Sequence, residues 1–257
     1  MSGDAHRHDD ARLRIGVITD VHGNLPALRA VLAALDGEAV DVLYHTGDLL
    51  GIGPYPAECL EILINRPATR LLMGNHDAWF AFGLPTPRPE WMREGEYAHD
   101  QWVHAQLDPA LRPVVAAWPY ADTVRHGGVE IELLHYPLNP SAGGFFAPVD
   151  LHDADARGRV FGRQAFDLVF FGHDHRQWDV GSAPRLVSPG SVGCSEVAEA
   201  RYAVVELAGD GGCEVRFGAV PYDAAGLMAE FDVRGVPERD FIRGTFMPRP
   251  PTGDLRG

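Results

Sequence analysis

Residues 13–35, LRIGVITDVHGNLPALRAVLAAL, change period once, and the change decides the fold. Up to Thr19 the residues are mostly apolar, as in a strand buried on both faces. From Leu25 onward apolar residues recur at helical spacing. The junction DVHGN is polar and carries a glycine. The same alternation follows twice more: VDVLYHT (40–46) reads as a strand, PYPAECLEILI (54–64) as a helix opened by prolines, and TRLLM (69–73) as a strand. Strand, helix, strand, helix, strand predicts parallel β-α-β units.

The pattern then changes. Residues 79–119 are rich in tryptophan and proline, and PEWMREGEYAHDQWVHAQL (89–107) and DPALRPVVAAW (108–118) read as two helices of an insertion. TVRHGGVEIELLHY (123–136) is a hairpin turning at Gly127-Gly128. FDLVFF (166–171), PRLVS (184–188), ARYAVVEL (200–207) and CEVRFGAV (213–220) are further strands, and YDAAGLMAEF (222–231) is a late helix. The expected domain is 13–235, with a disordered tail over 1–12 and a Pro- and Arg-rich extension over 236–257. Two packed sheets with helices outside are expected.

The 257 residues carry a net charge of −14, with 46% apolar and 23% charged residues, the range of a globular domain. No run is long and apolar enough for a membrane, and the N-terminus is polar, so a cytoplasmic protein without a signal peptide is expected. The acidic balance argues against a groove for long nucleic acid, though a small phosphorylated substrate is compatible where bound cations reverse the local field. Cys59, Cys194 and Cys213 form no CxxC and are odd in number, which speaks against a disulfide frame or a zinc knot. All 22 basic residues are arginine. Schiff-base, Ser–Lys and P-loop lysine chemistry are thereby excluded.

Polar residues collect after the strands. Asp20 and His22 follow the first, Asp48 the second, and Asn75, His76 and Asp77 the third; His135 ends the hairpin, and His173 and His175 stand in GHDH after FDLVFF. Sites of open α/β sheets form at carboxyl ends of strands. Imidazole, carboxylate and amide donors suit Mn²⁺, Fe or Zn²⁺, and a bridging carboxylate would hold two such ions about 3.5–4 Å apart. Gly23, Gly47, Gly74 and Gly172 flank these residues.

DVHGN, GDLLGIGP, GNHD, a later His and GHDH stand in the order of the calcineurin-like metallophosphoesterases, which the chain resembles from about residue 13 to about 207. SPGSVG (188–193) is similar to a stretch of that family's small bacterial phosphodiesterase branch. The resemblance implies a four-layer α/β/β/α sandwich and two divalent metal ions, Mn²⁺ first, with Fe or Zn²⁺ as alternatives. Asp20, His22 and His175 would hold one ion, Asn75, His135 and His173 the other, and Asp48 would bridge. A hydroxide between the ions would attack phosphorus in line. His76 would protonate the leaving group, and Asp77 would orient His76 or the metal shell. A phosphodiesterase acting on a small organic or nucleotide phosphoester is expected; a phosphomonoesterase or nucleotide phosphatase, or a binding scaffold without activity, is the alternative.

GDLLGIG lacks the Arg of the phosphoprotein-phosphatase motif, which disfavours that activity. Tyr136 stands where the family has Gly and is expected to narrow the site or touch substrate. Asp174 stands where Thr is commoner and is expected near the site without binding metal. His45 reads as a core or supporting residue, and His99, His104, His126 and His152 as surface residues. Trp79, Phe80, Phe82, Trp91 and Trp102 would stack a nucleobase or, the preferred reading, pack the insertion.

Overall fold

The computed structural model describes residues 12–162 and 165–248. The tail expected over 1–12 and the end of the 236–257 extension therefore lie, apart from Arg12 and residues 236–248, outside the described residues. Strand β1 (Leu13–Ile18), helix α1 (Leu25–Gly37), strand β2 (Val42–His45), helix α2 (Pro56–Asn65) and strand β3 (Thr69–Leu71) form the expected parallel units. Helices α3 (Asn75–Phe82), α4 (Glu94–Ala105) and α5 (Arg112–Ala116) follow, with a 3-10 turn at Pro109–Leu111 before α5. Strands β4 (Ala121–His126) and β5 (Val129–Leu134) make the hairpin, with Gly127 and Gly128 both at positive φ. Then come β6 (Leu138–Asn139), β7 (Gly144–Phe145), α6 (Ala154–Phe161), β8 (Leu168–Phe170), β9 (Gln177–Val180) and β10 (Arg185–Pro189). Strands β11 (Glu199–Leu207) and β12 (Cys213–Pro221) and helices α7 (Ala224–Val233) and α8 (Arg239–Phe246) complete the described chain.

Two five-stranded sheets result, in the orders β12-β11-β1-β2-β3 and β4-β5-β8-β10-β9. Alternation along each strand explains the layers. Ile15 and Val17 of β1 meet Ile131 and Leu133 of β5 and Leu168 and Phe170 of β8 between the sheets. Ile18 turns the other way, toward Leu28, Val31 and Leu32 of α1 and Leu60 of α2. Val169 and the adjoining Phe171 pack outward with Phe161 of α6. This is the four-layer α/β/β/α arrangement.

Several elements differ from the expectation. Helix α3 begins on Asn75, so the GNHD motif opens a helix; its N-cap is Gly74, and Asp77 supplies the acidic first turn. The expected helix over 108–118 shrinks to the 3-10 turn and α5. Helix α8 forms where only a tail was read, anchored by Ile242 and the following Met247 against Leu227, Phe231 and Cys194. His99 is not a surface residue: it is buried beside Trp102, while His104 and His126 are half-buried and His152 is exposed. Of the aromatic residues in 79–119, Phe80 is buried in the core and Phe82 and Trp91 are exposed.

Candidate metal centre

The carboxyl ends of β1, β2, β3, β5 and β8 converge, and the loops leaving them bring seven polar side chains together. The loops bend sharply. Asp20, His22, Asp48, His173 and His175 all have φ between 47° and 78°, a region that L-residues avoid at a cost of about 1–3 kcal/mol each. Two glycines make the approach feasible. A Cβ on Gly172 would stand 2.0 Å from the Thr19 hydroxyl and 2.6 Å from Oδ2 of Asp20, and one on Gly74 would stand 2.2 Å from Oδ1 of Asp48.

The donor atoms form two groups that share one oxygen. Nε2 of His22 lies 3.0 Å from Nε2 of His175 and 3.8 Å from Oδ1 of Asp20. Nε2 of His135 lies 3.2 Å from Nδ1 of His173. Oδ2 of Asp48 is 3.8 Å from the His22 nitrogen and 3.3 Å from the His135 nitrogen. Donors bound at about 2.0–2.2 Å to a common cation stand at such separations from one another. Oδ1 of Asn75 is buried and unpartnered among the protein groups, which is the state of an amide oxygen reserved for a cation. The residues present therefore fit two metal ions. They have the composition expected from the strand ends.

Second contacts fix each donor. The Nδ1–H of His22 donates to the Leu50 carbonyl at 2.9 Å and that of His135 to the Thr46 carbonyl at 3.1 Å, leaving both Nε2 atoms turned to the centre. Asp20 accepts from the Thr19 hydroxyl at 2.8 Å and from the His173 backbone N–H. The SPGSVG loop clamps the Asp20 backbone: the Ser191 hydroxyl donates to the Asp20 carbonyl at 2.7 Å, and Gly193 N–H donates to the same oxygen at 2.9 Å. Asn24 caps α1 through Oδ1 and donates from Nδ2 to the Gly193 carbonyl.

Charge is arranged for cations. Burial holds the rings of His22, His173 and His175 below the usual histidine range, His173 to about 3 and His175 to about 4, so these imidazoles are neutral, the form that can bind a cation. Burial pushes Asp20 up to about 7, opposed by His135 and reinforced by Asp48. Burial works against the charge on Asp48 too, but His135, His76 and His22 hold its carboxyl well below the usual range. Two carboxylates this close and this buried call for positive charge between them.

His76 stands beside the centre, edge-on to His22 at 5.2 Å, and its backbone N–H donates to Oδ1 of Asp48 at 2.9 Å. Its Nδ1 pairs with Oδ1 of Asp100 at 3.2 Å. Burial disfavours its protonation, but Asp100 and then Asp48 outweigh this and raise it to about 9. Asp77 does not reach His76. Its carboxylate accepts the backbone N–H groups of Asp48 (2.8 Å), Leu49 (3.1 Å), Leu50 (3.2 Å) and Gly74 (3.1 Å) and so shapes the loop that carries Asp48.

Asp100 is a residue of the candidate site that no reading of the sequence picks out. It lies in α4, 24 residues from His76, with no local motif. Cys194, read from sequence only as one of three cysteines without a CxxC, lies beside the centre. Its sulfur is within 4.8 Å of the ring nitrogens of His22 and His175, and burial raises its pKa and keeps it protonated.

Tyr136 is buried between Phe161, Phe171 and His173, with its hydroxyl accepting from Val149 N–H, so it backs the His173 ring from within the protein. Asp174 has a structural task between the two histidines: it accepts from the Arg176 N–H and from the indole N–H of Trp178 in β9. Asp174→Ala is expected to cost about 1–2 kcal/mol in urea unfolding, from two lost bonds at a half-buried carboxylate, with Asp174→Asn recovering part.

The centre opens on two sides. An open groove of about 660 Å³ runs past His175, Arg176 and Arg201 to Phe246. A smaller cavity of about 170 Å³ lies on the side of His76 and Asp100.

A sequence model of the family described as "Calcineurin-like phosphoesterase" matches residues 13–177. The chain is similar to a metallophosphoesterase from Sphaerobacter thermophilus, at 26% identity and a TM-score of 0.66 over 90% of this chain and 96% of that one. It shares its fold with the hypothetical protein PH1004 from Pyrococcus horikoshii OT3, at 20% identity and a TM-score of 0.73 over 92% and 99% of the two chains. It is 38% identical over 63 residues to the uncharacterized protein MJ0912 of Methanocaldococcus jannaschii, a match spanning 24% of this chain and 26% of that relative.

Proposed function

We propose, since the chain belongs to the calcineurin-like phosphoesterase family, that it is a metal-dependent phosphodiesterase acting on a small organic or nucleotide phosphoester. The observation that carries the reading is Asp48, whose Oδ2 faces both His22 and His135. Asp20, His22 and His175 would hold one divalent cation and Asn75, His135 and His173 the other. Mn²⁺ is the proposed ion, since the donors are nitrogen and hard oxygen, and Fe and Zn²⁺ fit the same set. Two bound cations supply charge to the phosphoryl group and acidify water at phosphorus. Water provides the new oxygen, the P–O ester bond breaks, and His76 delivers a proton from Nε2 to the departing alcohol, with Nδ1 held by Asp100. Space on both sides of the centre favours a diester over a monoester.

The exposed free thiol of Cys213 fits a reducing compartment, and we place the protein in the cytoplasm. No helix among the described residues is long and apolar enough to cross a membrane.

Chelation followed by metal addition tests the reading. Removal of metal is expected to abolish turnover of a generic phosphodiester and to lower the unfolding temperature, because a cation that binds only the folded state at about 1,000 times its dissociation constant adds about 4 kcal/mol. Turnover and melting temperature should return together with Mn²⁺. Full activity of the chelated protein would overturn the proposal.

A further inference from the structure

The smaller cavity lies between α4 and α8. It is lined by Ile52 and His76, by Glu96 and Asp100 of α4, and by Phe241 and Phe246 of α8. His76 belongs both to this cavity and to the metal centre, where its ring meets His22. A group seated here is therefore next to the proton donor, the position of a leaving alcohol.

The walls define what fits. Phe241, Phe246 and Ile52 offer apolar surface to a ring. Asp100 uses one carboxylate oxygen for His76; the other, Oδ2, is buried and has no partner, so it can accept a hydrogen bond from an occupant. Carboxylates outnumber cations around the cavity: Glu96, Asp100 and Glu238 stand against the guanidinium of Arg93 and the His76 ring that Asp100 holds. That guanidinium lies over the Phe241 ring at 3.6 Å and 3.9 Å from Glu238. The partly exposed side chain of Glu238 lies close over α4, where a Cβ on Gly95 would come within 2.1 Å of its carboxyl carbon.

We propose that this cavity receives the leaving alcohol of the phosphodiester, that this alcohol is neutral, ring-bearing and furnished with a hydrogen-bond donor, as a nucleoside is, and that leaving groups with an anionic tail are rejected. The inference rests on the phosphodiesterase reading. As the P–O bond breaks, the bonding pair goes to the alcohol oxygen, which takes the His76 proton, while the oxygen of water stays on phosphorus.

The test compares two methyl aryl phosphates whose phenols carry a para carboxamide or a para carboxylate, each rate corrected for its hydroxide-catalysed hydrolysis. The metal-loaded protein is expected to release the carboxamide phenol with a kcat/KM at least about tenfold higher, the ratio expected where like charges meet. The double variant Glu96→Gln, Glu238→Gln should narrow that ratio severalfold by improving the carboxylate substrate. Phe241→Ala should raise KM for the carboxamide substrate. A wild-type ratio near one, or a ratio indifferent to the double variant together with an unchanged KM in Phe241→Ala, overturns this inference and leaves the phosphodiesterase reading standing. Release of neither phenol by the metal-loaded wild type overturns both.

Discussion

Asp48→Asn is expected to lose turnover by about 10³-fold or more, equivalent to about 4 kcal/mol of transition-state stabilisation, and to bind fewer metal ions than the wild type. The expectation follows from how the two carboxylate oxygens are used. Oδ1 accepts the His76 backbone N–H at 2.9 Å, and Oδ2 alone faces both His22 and His135. An asparagine that keeps its oxygen on the His76 N–H turns its NH₂ toward the ring nitrogens, where it repels cations. Elemental analysis of the purified variant, with turnover of a generic diester, checks both halves. Wild-type metal content with more than a tenth of the wild-type rate would remove Asp48 from the bridge.

The second large effect concerns His76 and Asp100. His76→Ala is expected to lower kcat by about 10²–10³ for alkyl leaving groups and much less for a nitrophenol, which departs without a proton. Asp100→Asn should keep the hydrogen-bond acceptor and lose the charge. The Asp100 carboxylate raises the pKa of His76, so its neutralisation lowers that pKa. Because His76 acts in its protonated form, activity fails where the proton is lost, and the alkaline limb of the pH–kcat profile moves to lower pH. Bound cations act on His76 in wild type and variant alike, so the difference between the two profiles isolates Asp100. Superimposable alkaline limbs would show that Asp100 does not tune His76.

The difference between what sequence revealed and what it hid is physical. The parallel units at residues 13–71 could be read because a strand buried on both faces and an amphipathic helix have distinct periods. The polar residues around Asp48 could be read because each follows a strand, and strand ends are brought together by the sheet itself. Asp100 could not be read, since a residue in a helix meets His76 only through the tertiary packing of α4. Helix α8 was hidden because its anchors, Ile242 and Met247, are sparse within an arginine-rich segment and gain meaning only against Leu227 and Phe231. Tyr136 shows a related limit. Its position after His135 marks it as a neighbour of the centre, but only the tertiary packing of Phe161 and Phe171 decides that its ring is buried.

Strand β1 lies between β2 and β11 in its sheet, pairing from Leu13 with Leu207 to Val17 with Ala203. During synthesis the N-terminal half emerges first, with Asp20, His22, Asp48 and Asn75 but without His135, His173 or His175, and with one edge of β1 open until β11 arrives. An open edge is a template for association with other chains. The nascent chain therefore has a long interval in which its first sheet is unfinished and its cation sites are half built. The proposed cation sites are complete only once both halves of the chain have folded together.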